Sequence, residues 1–236
     1  MAKTSSISHA PWASLLETYV SAGTDGVNLV DYGALKDNEA AREQLDAYIA
    51  AFAPLDFDAL TRNERFAAWA NLYNAVTVRY VVENYPLSTI KPWYSAGPWK
   101  NITVVAGGEE VSLDAIEHEI LRQQWSDDPR LHYAINCASY SCPNLRTAPW
   151  TADTLDADLD EAAGDYVNHP RGVTILERGL RASSIYDWFR KDFGASEEAV
   201  IAHLLTHAEP DLAGKIRDNP DIRDHAYDWS LNDKAP

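Results

Sequence analysis

The sequence predicts an α+β protein: a central buried helix packed on a small, mainly antiparallel sheet, with further helices around it. Three observations predict it. Residues 62–84 are apolar nearly all round from Phe66 to Val82, which marks a helix buried on every side. Two short pairs of apolar runs, 102–105 with 109–111 and 173–176 with 180–182, are joined by turn residues and read as hairpins. Residues 131–136 alternate Leu131, Tyr133 and Ile135 against His132, Ala134 and Asn136, and read as a central strand.

The other elements follow in order. Residues 11–22 place Trp12, Leu15, Leu16 and Val20 at helical spacing; residues 30–32 are extended. Residues 38–52 form a second helix with Leu45, Tyr48, Ile49 and Phe52 on one side. Thr61, with Glu64 three residues on, is a capping box that starts the 62–84 helix. Asn71 and Asn74 lie inside that helix, where buried amides need hydrogen-bond partners. Residues 86–99 are too rich in proline and glycine for regular structure. Ser112 caps a helix over 113–124 that holds Glu117 and His118. Residues 153–166 form a helix with an acidic, solvated outer face. Helices follow at 185–193, 197–207 and 210–217, and the tail AYDWSLN is extended. No repeat or linker interrupts the chain, so residues 1–236 read as one domain, with a helical part at 1–60 and the core at 61–236.

Composition narrows the function. Eight Trp and twelve Tyr point to a core or cleft built of large rings. Acidic residues number 36 against 20 basic ones, a net charge of −16. The basic footprint that nucleic acid requires is missing, so no nucleic-acid partner is expected. No run approaches the ~20 apolar residues of a membrane span. Nor does an apolar stretch follow Lys3, as it would in a signal peptide. The expectation is a soluble protein, cytoplasmic as written. A chain that had lost a leader, periplasmic or secreted, would read the same, so the compartment stays open.

Both cysteines, Cys137 and Cys142, fall within residues 131–146 together with His132 and Arg146. A buried strand that opens into a polar loop at a thiol is one way to present a nucleophile. The plainer alternative is two small buried apolar side chains. Four residues separate the cysteines, so a local bridge is allowed but not required. A reactive thiolate needs an imidazole or a helix N-terminus beside it. In a regular strand His132 faces away from Cys137, because their separation is odd; His118 is then the better partner. Cys142 precedes Pro143, a residue suited to a first helical turn, which makes it the rival acidified thiol.

Four segments carry a resemblance: AAWANLYNAVT, VSLDAIEHEILR, DPRLHYAINCASYSCPNLR and YDWSLN. They resemble the DUF547 family, a group known by a domain-of-unknown-function label, in one order over roughly the last three-quarters of the chain. The resemblance implies an architecture distantly similar to the papain and transglutaminase thiol enzymes. There a central helix packs against an antiparallel sheet that supplies a histidine. The central helix here has Trp69-Ala70-Asn71 and no cysteine, so thiol chemistry falls to Cys137 or Cys142. The resemblance also makes Glu117-His118 and the first cysteine the more regular features.

The candidate site therefore has Cys137 as nucleophile, His118 as base with Glu117 beside it, and the loop amides after Cys137 as oxyanion donors. Asn71, Tyr73, Asn74, His132, Cys142 and Arg146 are the binding residues. Structural roles compete with each: His118 bonded to a carbonyl, the asparagines to loop backbone, Arg146 to the acidic helix. The expected activity is a thiol-dependent hydrolase or transferase acting on an amide or thioester, with a small molecule or peptide as ligand and neither metal nor cofactor. One alternative is a non-catalytic binding module for a small thiol peptide such as glutathione, held by a mixed disulfide and Arg146. Another is a metal site from Cys137, Cys142, His132 and His118. One pocket bordered by Tyr73, Asn74, His118, Cys137, Arg146 and an aromatic of residues 86–99 is expected.

Overall fold

The computed structural model describes residues 3–92 and 96–234. The architecture is α+β, with the sheet divided into three small pieces. Helix α1 (Ala10–Tyr19) runs directly into β1 (Val20–Ala22), which pairs antiparallel with β2 (Asn28–Val30). Asp31 then accepts from the Ala34 amide and starts α2 (Tyr32–Asp37), so the extended run expected at 30–32 ends at Val30. Helix α3 (Glu39–Ala50) follows, capped by Asn38.

Helix α4 (Arg62–Asn84) is the centre of the molecule. Its capping box forms as the sequence indicates: the Glu64 amide donates to Thr61 Oγ1 at 3.3 Å, and the Thr61 amide to Glu64 Oε2 at 2.8 Å. It stops before Pro86, which holds Tyr85 in an extended conformation. Every residue from Phe66 to Val78 is buried. Its broadest contacts are with α2, α3 and the helical run after β4, rather than with one continuous sheet.

Strands β3 (Thr103–Ala106) and β4 (Glu109–Ser112) form the first expected hairpin. Gly107 and Gly108 turn it with φ of 64° and 90°, a conformation glycine adopts without penalty. Helix α5 follows without a break: α-helical at Leu113–Ala115, π-wound at Ile116–Leu121, α-helical again at Arg122–Gln124. The expected strand at 131–136 is not there. Leu131–Ala134 is a single helical turn, α6, and the chain becomes extended only at Ile135. Asp128 sets this turn, accepting from the Arg130 amide at 3.0 Å. The alternation misled because Leu131, His132, Tyr133 and Ala134 are all buried, so no solvent face exists for a period to report.

Helix α7 (Leu155–Val167) precedes the second hairpin, β5 (Val173–Ile175) and β6 (Leu180–Ser183). Strand β7 (Ile222–Ala226) joins it parallel to β6. The helix expected over 185–193 is only one turn, α8 (Ile185–Trp188); α9 (Glu197–His207) and α10 (Pro210–Asp218) match their patterns. Two apolar clusters result. Leu155 and Leu159 of α7 belong to the larger, around α4, while its Ala163, Tyr166 and Val167 belong to the smaller, under β5 and β6.

Candidate functional site

The loop from Asn136 to Pro143 is fixed almost entirely by hydrogen bonds to its own and neighbouring groups. Asn136 donates to the Pro143 carbonyl at 2.7 Å and accepts from the Ala138 amide at 2.8 Å. That bond holds Ala138 at a φ of 64°, a left-handed conformation unusual for alanine. The tail closes over the loop: the Tyr140 amide donates to the Ser230 carbonyl, the Ser141 amide to the Asp228 carbonyl and the Asn232 amide to the Ala138 carbonyl. The amides of Ala138, Tyr140, Ser141 and Cys142 all have partners within the protein. The expectation that amides after Cys137 serve as oxyanion donors is thereby corrected for these four.

Cys137 and Cys142 are joined as a disulfide, with their Cα atoms 6.2 Å apart. Cys137 is partly exposed and Cys142 is buried. The Cys137 amide donates to Cys142 Sγ at 3.0 Å. The Tyr227 hydroxyl lies 3.0 Å from Cys142 Sγ and 3.2 Å from Cys137 Sγ. A disulfide sulfur has no proton to give, so the phenol is the donor. Burial raises the Tyr227 hydroxyl well above its ordinary value, so it keeps that proton.

These sulfurs line a cleft of about 210 Å³. Glu117 and His118 reach it from the π-wound turn of α5, a winding that recurs at functional sites. Tyr73 reaches it from α4 and donates to Glu117 Oε2 at 3.2 Å. Trp99, Trp188 and Trp229 complete an aromatic wall, with Trp188 and Trp229 stacked at 5.5 Å. Trp99 is the described aromatic of the 86–99 loop in the wall; Trp93 and Tyr94 lie outside the described residues.

Two imidazoles line the cleft, each with a defined partner. Arg122 Nη1 lies 3.1 Å from His118 Nδ1, so Nδ1 accepts and the neutral ring carries its proton on Nε2. His132 is the reverse case. It is buried, stacked on Phe189 at 4.2 Å, and its Nε2 meets Asp192 Oδ2 at 2.8 Å. Burial lowers the His132 pKa more than its bond to Asp192 raises it, so the ring is neutral near neutral pH. Asp192 also receives a two-pronged contact from Arg122, at 2.6 and 3.0 Å. Burial pushes the Asp192 carboxyl up, but the bonds from His132 and Arg122 hold it well below the usual carboxylate range. Asp192 thus takes the Nε2 proton, and Nδ1 is the acceptor nitrogen of His132.

Asn71, Asn74 and Arg146 are absent from this lining. Asn71 exchanges two bonds with the backbone of Trp150, at 2.9 and 3.0 Å. Asn74 donates to the Ala134 carbonyl at 2.9 Å and accepts from the Asn136 amide at 2.8 Å. Arg146 pairs with Asp158 at 2.8 Å and lies over the Trp150 ring. Asn74 therefore positions the start of the cysteine loop from behind, while Asn71 holds the backbone at Trp150. Asp192, Tyr227 and Trp229 were not singled out from sequence as site residues; the only signal was the YDWSLN segment, which contains the last two. Among the described residues, no group of three or more His, Cys, Asp and Glu side chains is arranged to hold a metal ion. Nor is any described helix long and apolar enough to cross a membrane.

Residues 57–167 match the family described as "Protein of unknown function, DUF547". The match covers a little under half of the chain. No curated protein and no solved structure matches the chain. The DUF547 segment supplies Tyr73, Glu117, His118, His132 and both cysteines, while Asp192, Tyr227 and Trp229 come from chain beyond it. The disulfide thus lies in the DUF547 segment, and the phenol that bonds it lies outside.

Proposed function

We propose that the protein is a thiol-dependent hydrolase or transferase acting on an amide or thioester, active when Cys137 is reduced. The observation that supports this reading is the sharing of one cleft by Cys137, two imidazoles and a carboxylate-bonded ring nitrogen. Cys137 is the more exposed sulfur and is the nucleophile. His132, with Nε2–H given to Asp192, has the tautomer that accepts a proton at Nδ1. His118, with its proton on Nε2, has the tautomer that donates one to a leaving group. The Tyr227 hydroxyl, 3.2 Å from Cys137 Sγ, is a donor beside the attacking sulfur. The distant likeness to papain-type enzymes belongs to this proposal. Attack by the thiolate forms an acyl-Cys137 bond and releases the amine or thiol; water or a second nucleophile then takes the acyl group.

The test uses fully reduced protein and simple thioester or activated amide substrates. An acyl mass on the peptide containing Cys137, lost in Cys137→Ser, is the expected result. Turnover retained by Cys137→Ser would overturn the proposal.

A further inference from the structure

The two sulfurs of the bridge are not equivalent, and their difference has a chemical consequence. Cys142 Sγ is buried and receives two hydrogen bonds, from the Cys137 amide and the Tyr227 hydroxyl, each at 3.0 Å. Cys137 Sγ is partly exposed at the cleft, with Tyr227 at 3.2 Å and the Ser139 hydroxyl at 3.4 Å. In thiol–disulfide exchange the attacked sulfur must be accessible, and the departing sulfur leaves faster when its thiolate is stabilised. Access favours attack on Cys137; the two short bonds favour departure of Cys142.

We infer that the Cys137–Cys142 pair exchanges with a small monothiol in one direction, the incoming sulfur joining Cys137 and Cys142 leaving. The incoming thiolate attacks Cys137 Sγ. A new S–S bond forms there, the bond to Cys142 breaks, and its electron pair stays on Cys142 as a thiolate held by the Cys137 amide and the Tyr227 hydroxyl. From this mixed disulfide the reaction goes two ways. The Cys142 thiolate can return to Cys137 and expel the small thiol. A second thiolate can instead attack the small thiol's sulfur, releasing an oxidised thiol dimer and a free Cys137 thiolate. In the second course two small thiols are oxidised to one disulfide, and the protein disulfide is reduced to two thiols. The cleft of about 210 Å³ accommodates a small thiol rather than a protein surface. Trp188, Trp229 and Phe189 give one part of its wall an aromatic surface against which an apolar chain packs. The exchange requires neither His132 nor an acyl substrate, so it stands or falls separately from the hydrolase reading.

The experiment adds 2-mercaptoethanol to the oxidised wild-type protein, quenches with acid, alkylates free thiols and maps both peptides by mass spectrometry. The expected result is the mercaptoethanol adduct on Cys137 and the alkyl group on Cys142. An adduct mainly on Cys142, an even split, or exchange only after denaturation would overturn the inference. A second measurement tests the phenol. In Cys137→Ser, the Cys142 thiolate is titrated by its ultraviolet absorbance, with and without Tyr227→Phe. Loss of a hydrogen bond to a charged sulfur should raise the midpoint by about one pH unit or more. An unmoved midpoint would remove Tyr227 from the argument and overturn it.

Discussion

Asp192 accepts a hydrogen bond from His132 Nε2 at 2.8 Å and is held at both carboxylate oxygens by Arg122. The carboxylate therefore sets the tautomer of an imidazole sixty positions earlier in the chain. Arg122 in turn donates to His118 Nδ1, so one arginine bonds one cleft imidazole directly and the carboxylate partner of the other. The groups run in sequence: an ionised carboxylate, a guanidinium, and two rings, of which His132 offers Nδ1 as acceptor while His118 accepts there from Arg122.

Asp192→Asn tests that arrangement. An amide keeps one acceptor, and whichever way it turns its N–H₂ faces Arg122, a donor, because Arg122 reaches both carboxylate oxygens. Asp192 and Arg122 both keep some exposure, so the expected loss is about 2 kcal/mol rather than the larger cost of breaking a fully buried pair. Urea unfolding measures it. Thioester turnover by the reduced protein should fall about a hundredfold or more, as expected when an imidazole loses the group that fixes its tautomer. Wild-type stability and turnover in this variant would show that His132 needs no such anchor.

Much of the fold was legible in the sequence. The Thr61–Glu64 box, the buried circumference of α4 and both hairpins were readable because each is a local pattern, and each formed. Leu131–Ala134 was not readable, because burial on every side erases the period that separates strand from helix. The parity argument that turned His132 away from Cys137 fell with that strand, and both line the cleft. The site was legible only where the resemblance reached. Asp192 is one acid among 36 acidic residues, and nothing near it in sequence distinguishes it. The π winding that brings Glu117 and His118 to the cleft has no sequence signature either. The amides at Asn71 and Asn74 did announce themselves, since two amides in an apolar helix require partners.

Acid should destabilise the fold through its buried imidazoles. Burial lowers His9 and His203 to about 4, and it lowers His132 as well. These rings are neutral in the folded state, while in the unfolded chain they titrate near 6.5. Between about 4 and 6.5 the unfolded state binds more protons, so stability rises with pH in that window. The contribution is complete above about 6.5 and is lost as pH falls toward 4. The lowered Asp192 adds a further loss in the same direction at lower pH. Urea midpoints should change little from pH 8 to pH 7 on account of these groups, then fall from about pH 6.5 downward. His203 Nε2 lies 2.7 Å from the Tyr133 hydroxyl, so His203→Gln keeps a polar partner there while removing one titration. The slope of midpoint against pH should shrink in that variant; an unchanged slope would mean that His203 does not contribute.

Asn74→Ala separates two physical effects that differ in sign. Helix propensity favours alanine over asparagine by roughly 0.5 kcal/mol, so an asparagine with no other duty would be improved by the change. Asn74 instead donates to the Ala134 carbonyl and accepts from the Asn136 amide. Both are backbone groups in a buried segment, and Asn136 directly precedes Cys137. Removing the amide leaves a carbonyl and an N–H without partners, which costs about 2–4 kcal/mol in total. The clamp therefore outweighs propensity, and the variant should unfold at lower urea. Asn74→Asp makes the comparison sharper. Its carboxylate can still accept from the Asn136 amide but cannot donate to Ala134, and it buries a charge beside the cysteine loop. At neutral pH it should be at least as destabilised as Asn74→Ala. An Asn74→Ala protein more stable than wild type would show that the two bonds contribute less than helix propensity.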